Sequence, residues 1–349
     1  MPRPGFWHGQ LMTTRRSEPT VPAMESTART AVVAVGGNAL LEGGGPATIA
    51  EQFAAAQRLA VQLRALVESG WRIVLTHGNG PQVGFILRRS DLVSEIEPEL
   101  PQLALDMCVA DSQGSLGYIL GASLQGELRA GGLPQQVVAM LTHTVVDGDD
   151  PAFASPTKPI GSHYDEATAR RLAADHGWAI TEDSGRGWRR LVPSPQPVRI
   201  VEQDAIETLV GAGYVVVAAG GGGIPVIEEA GGRLRGVEAV IDKDFASALL
   251  ATALGADLLC ITTGVEAVAV DFGRPTQRRL DVLDADEARR HLADGQFPPG
   301  SMGPKIEAAL RYLDAGGGDV LITSPDRLAD ALEGRTGTRV VAATAAPRR

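Results

Sequence analysis

Residues 240–250 read Val-Ile-Asp-Lys-Asp-Phe-Ala-Ser-Ala-Leu-Leu, placing Asp242, Lys243 and Asp244 at the head of an otherwise apolar run. An aspartate at such a point caps the first helical turn, because its carboxylate accepts backbone N–H groups that lack a partner. Taken alone, the trio is a cap beside a solvated lysine. Its company changes the reading. Glycine-rich loops follow three apparent strands, as Gly36-Gly37-Asn38, as Gly78-Asn79-Gly80 after His77, and as Gly220-Gly221-Gly222-Gly223. A second lysine, Lys305, follows Gly303-Pro304 at the start of another apolar helix. Glycines let backbone N–H groups approach a ligand, asparagine amides add donors, and ammonium groups bring charge. The combination describes a site for anionic phosphate.

The whole chain makes that site unusual. Its 349 residues carry a formal charge of −10, which argues against a general nucleic-acid or membrane-surface binder, so any anion must be held by a few placed cations and amides. No Gly-x-Gly-x-x-Gly opens the first helix, and no Gly-x-x-x-x-Gly-Lys-Ser/Thr is present, which counts against the dinucleotide-binding and P-loop fingerprints. His77 is placed to act as a base, but a histidine beside a glycine loop is more often a hydrogen-bonded structural residue. No histidine or cysteine cluster has metal-ligand spacing, so a metal is expected to arrive with phosphate and to have no protein ligands of its own. Cys108 and Cys260 each sit in an apolar run, which predicts buried free thiols in a reducing compartment.

The elements that must position these residues follow an α/β grammar. The apolar run 31–35 delivers the first glycine loop, as suits a buried parallel strand. Thr48-x-x-Glu51 is a capping-box pattern, followed by Phe53, Ala56, Leu59, Leu63 and Leu66 at helical spacing. A strand over 72–76 runs into His77 and the second loop. Helices are expected over 82–93 and 103–128, then a strand over 137–141. The second half repeats the pattern: a helix over 203–210, a strand over 214–219, a hairpin around Gly231-Gly232, the helix headed by Lys243, and strands over 258–262, 319–323 and 338–342. Between the halves, residues 147–197 are rich in Pro, Asp and Arg and contain a helical stretch over 165–176. An insertion of that length reads as a functional lid or a linker, and its helix and aromatics favour a small ordered subdomain. Residues 1–30 have no periodic pattern and read as a disordered extension, with Met12 and Met24 as alternative starts. No run approaches the roughly 20 apolar residues of a membrane span, so a soluble, cytoplasmic protein is expected.

Seven segments in order, GGNAL at 36–40, HGNGPQVG at 77–84, PTKPIG at 156–161, GRGWRR at 185–190, AAGGGGIPV at 218–226, GVEAVIDKD at 236–244 and GSMGPK at 300–305, make the chain resemble the carbamate kinases of the amino acid kinase superfamily. The resemblance runs collinearly from about residue 31 to 341. It implies an α/β fold, a three-layer αβα sandwich with a largely parallel central sheet and a small inserted lid over about 147–197, assembled as a homodimer. The N-terminal lobe, 31–197, would take carbamate, and the C-terminal lobe, 198–349, would take ADP or ATP with Mg²⁺. The reaction implied is reversible phosphoryl transfer between carbamoyl phosphate and MgADP, giving ATP and carbamate.

Carried over position by position, Gly36, Gly37, Asn38, Gly78, Asn79 and Gly80 would hold carbamate and the transferring phosphoryl group. Lys243 and Lys305 would neutralise phosphate oxygens, and Asp244 would orient both. Gly220, Gly221, Gly222, Thr262, Met302 and Lys305 would sit on the nucleotide side. Phosphoryl transfer needs positioning and charge neutralisation more than a covalent catalyst, and carbamate is already anionic, so no general base is required. Superfamily members often carry a lysine on the first strand just before the glycines; Ala34-Val35 leaves none here, and Lys158 of the insertion would supply that charge. Gly264 stands where many relatives have aspartate, which places the nucleotide-side contacts in doubt. Two competing readings are a kinase for another small acid or phosphate and a nucleotide-sensing regulator. The PTKPIG segment counts against the first, and the presence of Lys243, Asp244 and Lys305 against the second.

Overall fold

A computed structural model describes residues 28–37, 48–183 and 185–343. Residues 1–27 of the expected extension 1–30 lie outside the described residues, as does Asn38, but the end of that stretch is ordered, because Thr30 already pairs with Arg72 in the first strand.

The central sheet has eight strands in the order Val282–Asp284, Thr338–Val341, Asp319–Thr323, Leu258–Thr262, Thr30–Val35, Arg72–His77, Val215–Val217 and Val137–Ala139. All neighbours pair in parallel except Asp319–Thr323 with Thr338–Val341. The apolar runs have their cause in this arrangement, because alternate residues of one strand enter different cores. Val32 and Ala34 pack with the helices Gln203–Gly211, Lys243–Ala253, Ala285–Ala293 and Met302–Asp314. Ala31, Val33 and Val35 pack with Ile49–Glu68, Leu105–Ala130 and Leu328–Leu332. Burial on both faces makes three layers and removes any polar alternation from the strands.

Helix starts follow the local chemistry. Thr48 and Glu51 close a reciprocal capping box, with Glu51 N donating to Thr48 Oγ1 at 3.2 Å and Thr48 N donating to Glu51 Oε2 at 2.6 Å. Asp242 caps Lys243–Ala253 by accepting from Asp244 N at 2.9 Å. The expected strand over 214–219 ends at Val217 because Ala219 turns into the left-handed region at φ 48°, steered by its N–H bond to Thr142 Oγ1. That strand lies between Arg72–His77 and Val137–Ala139, so one sheet runs through both halves of the chain.

A second sheet orders Arg233–Gly236, Ile224–Glu229, His143–Val146 and Pro197–Ile200, and the hairpin anticipated around Gly231-Gly232 is its outer pair. From it projects a small subdomain, the antiparallel strands Lys158–Tyr164, Trp188–Val192 and Ala179–Glu182 with the helix Glu166–His176 capped by Asp165. Cations lie over its aromatic faces: the partly buried Arg190 over Trp178 at 5.0 Å, and the exposed Arg170 over Trp188 at 5.3 Å. The subdomain docks on the helix Gly80–Ile96 at a glycine pair, where a Cβ on Gly84 would lie 1.9 Å from Gly161 Cα.

Gly84→Ala is therefore expected to push the subdomain off its helix and cost about 1–3 kcal/mol, the usual range for overpacking. Gly126→Ala, in the helix Leu105–Ala130 with nothing within 4 Å of its Cβ, should stabilise by up to about 1 kcal/mol. Thermal denaturation of the two variants checks this contrast, and equal melting temperatures would refute it.

Candidate active site

The parallel strands deliver their carboxyl ends to one edge, and a cleft of about 870 Å³ opens there beneath the inserted subdomain. Gly36 and Gly37 leave Thr30–Val35, and Gly78, Asn79 and Gly80 leave Arg72–His77. The two loops touch backbone to backbone: a Cβ on Gly78 would lie 2.7 Å from Gly37 N. The third wall is the head of Lys243–Ala253, fixed to the sheet by Ser247, whose hydroxyl donates to Lys243 O and pairs with Thr76 Oγ1, each at 2.6 Å.

Asp244 organises the charges. Its Oδ1 accepts from Lys243 Nζ and its Oδ2 from Lys305 Nζ at 2.9 Å. The carboxylate is 3 % exposed, and burial alone would raise its pKa; the two ammonium groups prevail and hold it well below the usual carboxylate range. Burial works against the charge on both lysines. On Lys305 the pull of Asp244 prevails and the pKa rises. On Lys243 burial, with the like charge of Lys305, outweighs it and the pKa falls. Lys158 reaches in from the subdomain and donates to Asp242 Oδ2, while Asp242 Oδ1 keeps its helix cap. Three ammonium groups thus face two carboxylates, leaving one positive charge in a chain of net charge −10.

Two helix N-termini add to that field. Gly80–Ile96 and Met302–Asp314 begin with no side-chain cap, and Gly80, Pro81, Ser301 and Pro304 line the cleft. Unpartnered first-turn amides and the positive end of the helix dipole make such termini anion sites.

The cleft brings together Gly36, Gly37, Gly78, Asn79, Gly80, Lys158, Gly221, Thr262, Lys243, Asp244 and Lys305. It does not bring in Gly220, Gly222 or Met302. Gly220 is pressed on the His77 ring, Gly222 on the Ile241 carbonyl, and Met302 packs into the core beneath its helix. These glycines serve close packing, because any Cβ there would meet a neighbour within 3 Å. Asn79 donates one Nδ2 hydrogen to Ser112 Oγ at 2.8 Å, which orients the amide at the cleft wall and leaves its second hydrogen for an anion. His77 is 1 % exposed, with Nδ1 against Gly78 O at 3.2 Å, and burial lowers its pKa to about 4. It stays neutral near pH 7 and reads as structure. Cys108 and Cys260 are buried free thiols, each pushed up to about 12 by burial first.

Sequence reasoning assigned no role to Arg189, Gln196, Phe245 or Pro325, all of which line the cleft, and saw Asp242 only as a cap. The GRGWRR segment contained the signal for Arg189, but not which of its arginines would turn inward. Among the described residues no group of three or more His, Cys, Asp or Glu could hold a metal, and no helix is long and apolar enough to cross a membrane.

Comparison with known proteins agrees with this geometry. The profile of the Amino acid kinase family matches residues 29–324. A carbamate kinase of Thermococcus kodakarensis is 46% identical over 311 residues, spanning 89% of this chain and 98% of the relative. Carbamate kinase 3 of Staphylococcus aureus is 48% identical over 88% of this chain and 98% of its own length. The solved carbamate kinase of Giardia lamblia bound to AMP-PNP superposes with a TM-score of 0.83 at 38% identity, covering 91% of this chain and all of that one. With a glycine cradle, a carboxylate clamped between two lysines and that similarity along its length, the chain belongs to the amino acid kinase family and, within it, to the carbamate kinases.

Proposed function

We propose that the cleft transfers a phosphoryl group reversibly between carbamoyl phosphate and ADP. The observation that carries this reading is the Lys243–Asp244–Lys305 bridge, which sets two ammonium groups opposite the paired glycine loops. Phosphoryl transfer spreads negative charge over the equatorial oxygens, and preorganised cations and amides are what stabilise it. Gly36, Gly37, Gly78 and Gly80 present backbone to carbamate and the moving group. Lys243 and Lys305 neutralise its oxygens. Lys158 stands on the side where the first strand offers no cation. Asp244 makes no demand on substrate; it holds the two ammonium groups.

The nucleotide belongs on the other side of the cleft, along Thr262, Thr263, Gly264, Ser301 and Pro325. That assignment gives the N-terminal half the acceptor and the C-terminal half ADP or ATP; a nucleotide ligand as such accords with the AMP-PNP bound by the Giardia lamblia relative. Nothing lies within 4 Å of a Cβ on Gly264, so the missing aspartate leaves open space. Both cleft aspartates are already occupied by lysines, which fits a Mg²⁺ carried on nucleotide oxygens. There it would screen the phosphate charges as ADP approaches. The exposed Leu92, Ile96 and Leu100 supply an apolar face for the homodimer that the resemblance implies, and two buried free thiols accord with a cytoplasmic location.

Purified protein given carbamoyl phosphate, ADP and Mg²⁺ should form ATP in a coupled assay, and excess chelator should take the rate to background. Absence of ATP would sink the assignment, and full activity under chelator would sink the metal. Lys243→Ala and Lys305→Ala are each expected to lower kcat by about a hundredfold or more, as loss of a charge-stabilising donor does, with Asp244→Asn comparable. Wild-type turnover in either lysine variant would remove that residue from the machinery. Lys158→Ala should depress kcat with carbamoyl phosphate while the Kd for ADP, read by calorimetry, stays near wild type. A loss seated in ADP affinity would move Lys158 to the nucleotide side.

A further inference from the structure

Arg189 lies on Trp188–Val192, the middle strand of the inserted subdomain. Strand alternation separates it from Arg190. Arg190 turns toward the helix Gly80–Ile96 and, with Arg88, Asp91, Tyr164 and Trp178, lines a separate cavity of about 20 Å³, room for one water. Arg189 turns into the main cleft beside Pro159.

Its guanidinium is held at one corner and free along one edge. Nη1 donates to Asp183 Oδ2 at 3.2 Å. The same carboxylate accepts from Arg186 Nη2 at 2.8 Å and pairs with His163 Nε2 at 3.0 Å, so its position is fixed from three sides. Arg189 Nε is buried with no hydrogen-bond partner among the described residues, and Nη2 has none there either. The side chain is 13 % exposed. A buried donor without a partner is destabilising, and such a group calls for an explanation. The Nε/Nη2 edge is the fork that meets a planar carboxylate with two parallel hydrogen bonds, which an ammonium cannot do.

We propose that Arg189 is a catalytic residue whose free edge receives the carboxylate of carbamate as it forms. The proposal rests on the phosphoryl-transfer reading above. In the ATP-forming direction a β-phosphate oxygen of ADP bonds to phosphorus while the bond from phosphorus to the carbamate oxygen breaks. That oxygen keeps the electron pair, and carbamate leaves as an anion with no proton moved. Charge therefore grows on the carbamate as well as on the phosphoryl group. The lysines are point charges suited to the phosphoryl oxygens, and Arg189 is the one residue of the lining with an unoccupied planar fork. Asp183 is a positioning residue, holding the guanidinium by the corner opposite that fork.

The test is steady-state ATP formation by the full chain with carbamoyl phosphate varied at saturating MgADP. Arg189→Ala should lower kcat/KM for carbamoyl phosphate by about a hundredfold with an unchanged Kd for ADP, and added guanidinium ion should restore part of the lost rate. Arg189→Lys, which keeps the charge but not the fork, should still lose about tenfold. Wild-type kcat/KM in Arg189→Ala, a loss confined to ADP affinity, or indifference to guanidinium overturns the assignment. Where Arg189→Ala does not fold, Arg189→Lys decides, and an unchanged kcat/KM there overturns it. An inactive wild-type chain sinks the phosphoryl-transfer reading and this assignment with it, whereas an active wild type with indifferent Arg189 variants sinks only the latter.

Discussion

The carboxylate of Asp244 is the interaction on which the cleft depends. Two ammonium groups, on helices far apart in the chain, have been taken almost fully out of water beside it. An uncompensated buried ammonium costs several kcal/mol, and two side by side would repel each other as well. One aspartate resolves both problems with one hydrogen bond to each lysine. The arrangement also sets a limit: a fully neutralised pair would have no reason to attract an anion. Three cations to two carboxylates is the smallest surplus that still does so.

Around that bridge, the subdomain and the sheet contribute differently. The sheet supplies main chain: glycine loops whose amides are presented without intervening side chains. The subdomain supplies cations, Lys158 and Arg189, carried on adjacent strands and brought over the cleft by a glycine contact on the helix Gly80–Ile96. Asp242 joins the two parts, with one oxygen capping a helix of the main body and the other holding a lysine of the subdomain.

Much of this was legible from residue order, for identifiable physical reasons. Strands buried on both faces give continuous apolar runs, and helix starts leave polar signatures such as Thr48-x-x-Glu51. The fold class followed from those two signals. What stayed hidden depended on partners distant in sequence. Asn79 carries an amide that any glycine loop would aim at an anion, but its orientation rests on Ser112, 33 residues away, which takes one of its two N–H groups. Gly220 and Gly222 look like ligand-facing glycines, yet His77 and Ile241 occupy the space beside them. Asp242 reads as a cap because its second oxygen meets a lysine 84 residues away. Composition and spacing report what a residue can do locally, whereas occupancy by another side chain is a property of the packed state.

The contact between Gly37 and Gly78 carries a consequence for what the cleft can accept. These loops leave neighbouring parallel strands, whose separation of about 4.8 Å is fixed by their hydrogen-bond ladder. Their mutual contact keeps them from closing further, and the ladder keeps them from spreading. The floor of the site is therefore a rigid gauge, dimensioned by backbone geometry that side-chain substitution cannot alter. The roof is a separate small sheet, docked on the helix Gly80–Ile96 and tied to the main body through Lys158 and Asp242. A shift in the size of the accepted acid would have to come from the roof, where Pro159, Lys158 and Arg189 face the opening.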